Sequence, residues 1–354
     1  MKKTLFILFF VSSVVSSQSV RKYSNEFLNI GVDAAAFGMG KAVVATTNNV
    51  NAIYWNPAGL TAVEEYQGAI MHAEYFAGIA KYDYAGFAMP IDNYSAVGIS
   101  LIRFGVDDIL NTTELIDNEG NIDYNRISLF SAADYALTIG YARKLRFQGI
   151  TIGGNVKIVR RIIGDFATSW GFGIDAALQY ERNNWKFGIM LRDITTTFNS
   201  WSIDENEFEK IKNAIPDQNQ ELPESTEITL PKAQVGIAKQ FEVSRDFNLL
   251  TEVDLNVRFT KTNDLISSDI VSIDPAFGFQ LGYMNTVFLR GGIGNIQNEL
   301  QFDNSKELVF QPNFGVGFKY KGIQLDYALT NIASTGNALY SNVFSIKIAF
   351  NNFR

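Results

Sequence analysis

The chain is 354 residues long, 47% hydrophobic, 13% aromatic and 19% charged, with a formal charge of −7. Its apolar content excludes a disordered chain, and its acid excess excludes a nucleic-acid partner, which needs a basic field. Zero cysteines rule out disulfides and thiolate chemistry, and one histidine rules out a His-rich metal site, so no cofactor or metal is expected.

Residues 1–17 read as a secretory signal peptide. Lys2 and Lys3 form its basic start, Thr4 to Val15 an apolar stretch, and Val15 and Ser17 occupy the small positions preceding a cut before Gln18. The stretch is shorter than the roughly 20 residues of a spanning helix. Its removal takes two lysines and no acids, leaving 28 basic residues against 37 acidic ones, a formal −9.

Residues 18–65 do not alternate. Gly31-Val32-Asp33-Ala34-Ala35-Ala36-Phe37-Gly38-Met39-Gly40 is small and glycine-rich, and Asn51-Ala52-Ile53-Tyr54-Trp55-Asn56-Pro57-Ala58-Gly59-Leu60 follows. Ala34 to Met39 fits one helical turn, and Asn56-Pro57 marks a bend because the residue before proline avoids the helical region. Small residues permit close backbone packing in a confined space, so this segment is expected to plug a lumen. Gly38-Met39-Gly40-Lys41 lacks the spacing and the following hydroxyl of a phosphate loop.

From residue 66 the pattern has period two, which puts alternate side chains on opposite faces. Trp170, Phe172, Ile174, Ala176, Leu178 and Tyr180 share one face, and Leu249, Thr251, Val253, Leu255, Val257 and Phe259 share another, opposite Glu252, Asp254, Asn256 and Arg258. A soluble sandwich alternates too. Loop lengths separate the two. Fourteen candidate strands run at 66–76, 80–91, 94–105, 133–147, 150–163, 167–182, 185–193, 228–242, 247–260, 274–284, 287–296, 308–320, 323–331 and 340–350. Every second connection is a tight turn, whereas 106–132, 194–227, 261–273 and 297–307 are long. Short turns at one end, long loops at the other and an even strand count mark an outer-membrane barrel.

Trp170 and Tyr180, ten residues apart on one apolar face, would stand about 25 Å apart along the barrel axis, the height of an apolar band. Trp185, Tyr283 and Tyr320 lie beside the short turns and complete the expected aromatic girdle. Arg103, Lys157, Arg161, Asp175, Lys186, Arg192, Glu252, Asp254, Arg258, Arg290 and Asp326 are expected to point into the lumen. The plainer reading is that they pair and hold the plug; the other is a selectivity path for a small solute. Asp107-Asp108, Glu64-Glu65 and Asp204-Glu205 are read as solvated charge outside strands, so no catalysis is expected. His72 falls in the first strand with its facing open. The loop 194–227, with a helix-like stretch from Asp204 to Ala214, is read as a lid, a docking surface or a solvated loop.

The segment NIGVDAAAFGMGKAVVATTNNVNAIYWNPAGL (29–60) resembles the N-terminal hatch of the FadL-type outer-membrane family, and in particular its PorV/PorQ branch associated with the type IX secretion system. The C-terminal KYKGIQLDYALTNIASTGNALYSNVFSIKIAF (319–350) is similar to that branch's closing hairpin. The resemblance implies an all-β fold, a 14-stranded antiparallel transmembrane barrel (66–354) with a hatch in its lumen. Within the hatch, Gly31, Asp33, Gly38, Gly40, Asn51, Tyr54, Trp55, Asn56, Pro57 and Gly59 carry the likeness. It implies an outer-membrane location with both termini periplasmic and the long loops extracellular. The partners implied are outer-membrane lipid, the type IX translocon and secreted cargo proteins, served without bond-making chemistry. The rival role is a FadL-like channel for hydrophobic small molecules such as long-chain fatty acids.

Overall fold

The computed structural model describes residues 24–116, 120–214, 225–301, 305–331 and 340–350; the signal peptide at 1–17 lies outside them. Among the described residues, seventeen strands form one antiparallel sheet. They are β1 (Gln67–Tyr75), β2 (Ala80–Pro90), β3 (Ser95–Asn111), β4 (Ser128–Lys144), β5 (Ile150–Ile163), β6 (Ala167–Arg182), β7 (Trp185–Arg192), β8 (Thr197–Ile203), β9 (Thr226–Thr229), β10 (Lys232–Glu242), β11 (Phe247–Arg258), β12 (Ile266–Ser267), β13 (Ser272–Tyr283), β14 (Val287–Leu300), β15 (Lys306–Tyr320), β16 (Ile323–Asn331) and β17 (Tyr340–Ala349).

Fourteen of these make the wall, because β8 and β9 continue β7 and β10 beyond a break and β12 is a two-residue addition to β13. The sheet closes on itself where β1 pairs with β17, from Gln67 opposite Ala349 to Ala73 opposite Val343. Closure leaves no open edge, the condition for an unaided sheet to stand in hydrocarbon. The fold is a closed 14-strand antiparallel β-barrel.

Alternation assigns the faces. On β6, Ser169 and Asp175 are buried while Trp170 and Phe172 are exposed; on β13, Phe277 and Phe279 are exposed while Asp274 and Ala276 are buried. The tight turns suit the strand twist. Asn183 and Asn184 have φ of 50° and 66°, and Lys321 and Gly322 have 45° and 82°, the paired left-handed geometry of two-residue hairpins. At the other end several strands run on past the expected limits: β3 reaches Asn111, β4 begins at Ser128 and β14 reaches Leu300. Bulges accompany two extensions, between Val106 and Ile109 and between Gly294 and Gln297. The expected loops there are shorter because hairpins continue where the apolar alternation stops.

Residues 24–63 occupy the lumen. They contain a 3-10 helix (Glu26–Asn29), helices α1 (Ala34–Gly38) and α2 (Ala52–Trp55), and a second 3-10 helix (Pro57–Ala62). Helix α1 packs on β14–β17 and the second 3-10 helix on β3–β6, nearly opposite walls. Val32, Phe37, Val44, Ile53 and Leu60 are wholly buried. A polar helix outside, α3 (Glu205–Ala214), sits in the long loop after β8.

Candidate functional site

The chemistry-bearing side chains gather where the hatch meets the wall. Asp33, held at φ 73°, caps α1 by accepting from the Ala35 amide at 3.2 Å. Its carboxylate also receives the Lys347 ammonium at 2.9 Å and the Ser345 hydroxyl at 3.0 Å, both from β17. Lys347 reaches on to Asp326 at 3.0 Å, and Arg290 of β14 meets the other oxygen of Asp326 at 2.7 Å. One chain of alternating charge thus fastens α1 to three wall strands. All its members are buried, so each charge relies on its neighbours.

A second network lies across the barrel. Lys157 of β5 donates to Asp193 at 2.6 Å and to Asp175 at 2.9 Å. Asp193 follows β7 directly, with φ 55°, and its amide donates to Asp175 at 2.9 Å while Thr197 donates to its side chain at 2.6 Å. The wall is interrupted here: β6 pairs with β7 over Ala176–Arg182 and with β8 over Ala167–Phe172, leaving Asp193–Thr196 between them. The network braces that break. Arg192 beside it donates to the Tyr54 carbonyl of α2 at 2.8 Å and to Gln234 at 2.8 Å, and its guanidinium lies 4.5 Å from the Tyr54 ring centre.

The rest of the hatch is held by its backbone. Asp254 accepts from the Val43 and Val44 amides at 2.9 and 3.1 Å, and Glu252 accepts from the Ala45 amide at 2.6 Å and from the Thr46 hydroxyl. Asn56 donates to the Val44 carbonyl at 2.9 Å and accepts from Ala58 at 3.1 Å, setting Pro57 at the start of the 3-10 helix. Trp55 donates to the Val32 carbonyl at 2.9 Å and stacks edgewise on Tyr54, with its indole against Gly31. Gly38 lies against Gly315, Gly40 against β14 and Gly59 against the Thr47 carbonyl, and Asn51 is buried ahead of α2.

Of the remaining expected lumen charges, Arg161 pairs with Asp134 at 2.8 Å and Glu227 at 3.1 Å, Lys186 with Glu181 at 3.2 Å, and Arg258 with Asp264. Arg103 is a correction. On β3 the even positions Ser100 and Ile102 are buried and the odd positions Ile99 and Leu101 exposed, so Arg103 points outward. Charge had suggested the lumen, but strand parity governs. His72 also faces outward, between buried Met71 and Ala73, and bonds Asp83 at 2.7 Å. Trp170, Trp185, Tyr283 and Tyr320 are exposed on the outer face, and Tyr180 stacks on Phe187 there.

Lys41 is the residue that sequence reasoning passed over. A cavity of about 590 Å³ lies between the hatch and β9–β15, lined by Lys41, Arg192, Lys232 and Arg258 together with Glu26 and Asp274. Tyr54, Trp55, Ile30, Val257 and Pro231 supply apolar walls. Lys41 has a left-handed backbone, φ 67°, and its ammonium stands 5.4 Å from the Phe37 ring centre. Burial pushes that ammonium down to about 8, with Asp274 opposing and Arg258 adding to the shift. A lysine one residue past Gly40 gave the only hint. Ser24, the first described residue, bonds Thr229 at 2.8 Å and receives the Asn199 amide at 2.9 Å, at the long-loop end of the lumen.

Comparison with solved structures gives the same architecture. The P. putida toluene transporter TodX is 14% identical, with a TM-score of 0.56 over 90% of this chain and 99% of its own. The CymD monoaromatic hydrocarbon channel is 12% identical, with a TM-score of 0.54 over 91% and 98%. A Pseudomonas aeruginosa FadL homologue is 10% identical, with a TM-score of 0.50 over 89% and 97%. At these identities the likeness is one of fold. No curated protein matches the sequence. The family model described as type IX secretion system protein PorV matches residues 15–230, more than half of the chain, and the chain therefore belongs to the PorV family of outer-membrane barrels.

Proposed function

We propose that this barrel serves type IX secretion by accepting or escorting exported cargo proteins at the outer membrane, or by supporting their surface attachment. The observation that carries this reading, given the family, is the filled lumen. A buried ion network through Asp33, the Arg192 bond to the Tyr54 carbonyl and a row of backbone contacts from Glu252 and Asp254 fix the hatch to opposite walls. A lumen so filled does not pass a protein chain, so the work falls to the outer wall and the loops, with α3 in the longest of them. No bond-making step belongs to this role. The long loops then face the exterior, where released cargo is met. Deleting the gene is expected to trap cargo bearing the type IX C-terminal signal in the periplasm; normal release would overturn the reading.

A second reading is favoured by the cavity at Lys41. Its cations and aromatic walls suit a small amphiphile, and the interruption at Asp193–Thr196 lies close by in the wall. Under this reading the chain passes hydrophobic small molecules; TodX is a toluene transporter and CymD a monoaromatic hydrocarbon channel. Lost uptake of long-chain lipids alongside normal cargo release would favour it.

A further inference from the structure

The cavity beside the hatch carries a row of like charges that neither role above uses. Arg192 ends β7, Lys232 begins β10 and Arg258 ends β11, all at the long-loop end of the wall. Register sets them side by side: Lys232 stands directly opposite Arg192 on one flank and directly opposite Arg258 on the other. They share the parity of buried Met190, Gly236 and Asp254, so all three face the lumen, and all three line the cavity. Neighbouring strands lie about 4.8 Å apart, so the row spans about 10 Å. Like charges set directly opposite one another destabilise a sheet. The hatch adds a fourth cation, Lys41, to the same cavity.

The nearby carboxylates do not answer the whole row. Glu26 meets Lys232 at 3.6 Å and Asp264 meets Arg258. Arg192 instead donates to Gln234 and to the Tyr54 carbonyl, and the Lys41 ammonium stands against the Phe37 ring. Asp274, which also lines the cavity, accepts from the Ile296 amide at 3.0 Å. Among the described residues, Arg192 and Lys41 make no ion pair with a carboxylate. A single carboxylate on a ligand would answer one of these two cations. A phosphate monoester brings a charge of about −1.5 to −2 at pH 7 and three strong acceptor oxygens, and planar guanidiniums match such oxygens.

The lining selects the rest of the ligand. Beside the cations lie the amides of Gln234, Asn256, Asn295, Gln297, Gln311 and Asn313. Asn313 is buried, and its Nδ2 donates to the Gln311 carbonyl at 3.0 Å. Its Oδ1 is left as an acceptor without a partner among the described residues. A hydrocarbon tail laid over these amides would strip their water and return no hydrogen bond. Hydroxyl groups return it. The 590 Å³ of the cavity falls in the range of small-molecule sites.

We propose that the long-loop end of the lumen is a binding site for a soluble, phosphorylated and hydroxyl-bearing small molecule of the sugar phosphate class. Its phosphate lies on Arg192, Lys232, Arg258 and Lys41, and its hydroxyls on the amides around Asn313. The site does not depend on the secretion role, and it gives the cavity a polar ligand where the second reading gives it an apolar one. The ligand comes from the exterior medium because the closed wall separates the cavity from the bilayer.

The test is calorimetric titration of the full-length protein, folded in detergent, with glucose 1-phosphate. Saturable binding at one site per barrel is expected, about tenfold tighter than that of glucuronate, with none for glucose. Lys232→Gln and Lys41→Met are each expected to weaken it about tenfold, the loss of one charged hydrogen bond. Lys186→Gln, which removes a partner of Glu181 beside the Asn183-Asn184 turn, is expected to change nothing. Heat-modifiable gel mobility checks that each variant is folded, so a weakened titration reports on the site. Absent binding of glucose 1-phosphate, equal binding of glucuronate, or folded variants that bind as tightly as the parent would overturn the proposal. Laurate bound in place of the sugar phosphate would return the cavity to the second reading. Binding of a short-chain phosphatidylinositol phosphate alone would assign the cations to a lipid headgroup. Either result also overturns the soluble ligand.

Discussion

Lys157 and Lys347 hold the molecule's interior together in the same way, each an ammonium between two buried carboxylates. Removing such a cation leaves two acids facing one another without water. Lys157→Met is expected to cost about 3–5 kcal/mol, read as a lowered urea midpoint of the folded barrel. Lys81→Met on the outer face is expected to cost less than about 1 kcal/mol, since its partner lies at 3.9 Å and both groups meet solvent or headgroups. Equal losses would mean that the lumen is wet enough to screen the inner pair. Lys41 has the opposite sign. Its value falls from 10.5 to about 8 on folding, so between those limits the unfolded chain binds the extra proton. Stability due to this group therefore rises with pH across that window, and the full cost is present at pH 7. Lys41→Met is expected to stabilise the barrel at pH 7, by on the order of 1 kcal/mol, and to flatten the rise towards pH 9.5 in unfolding experiments. A rise unchanged in that variant would assign it to other groups.

Among the elements, the hatch turn at Gly40 has the least room. Its φ is 64°, and a β-carbon there would lie 2.7 Å from the Ile293 amide nitrogen of β14. Gly40→Val is expected to lift this turn off β14, costing about 1–3 kcal/mol and producing current through an otherwise silent barrel in a planar bilayer. A silent variant would mean that the rest of the hatch seals the lumen alone. The same element shows what the sequence makes legible. Small residues and Asn56-Pro57 announce a compact segment, and period two announces β6, β11 and β13, because one face is repeatedly apolar. What is not legible is long-range. Asp33 gives no sign that Lys347 is its partner, nor Val43 that its amide is met by Asp254. The break after β7 is hidden because Asp193-Ile194-Thr195-Thr196 contains neither glycine nor proline, and β8 is lost inside what reads as a loop. Arg103 misleads for a related reason: charge suggests the lumen, whereas the parity of β3 sends it outward beside Asp83.

At the scale of the whole molecule, a closed wall with a fastened interior acts through its outside. The chain offers a clean way to ask whether that is so, because it has no native cysteine. The Ser24 and Thr229 hydroxyls lie 2.8 Å apart, so cysteines at both positions bring their sulfurs within bonding reach. The disulfide would tie the start of the lumen segment to β9 at the long-loop end, while Gln67 already anchors its other end in β1. With the segment held at both ends, the hatch cannot leave. The direct measurement is cargo release from cells whose only copy is Ser24→Cys, Thr229→Cys, with oxidation confirmed on a non-reducing gel. The account predicts release equal to wild type in the oxidised state. Release that stops on oxidation and returns on reduction would show that the lumen must open, and would contradict it.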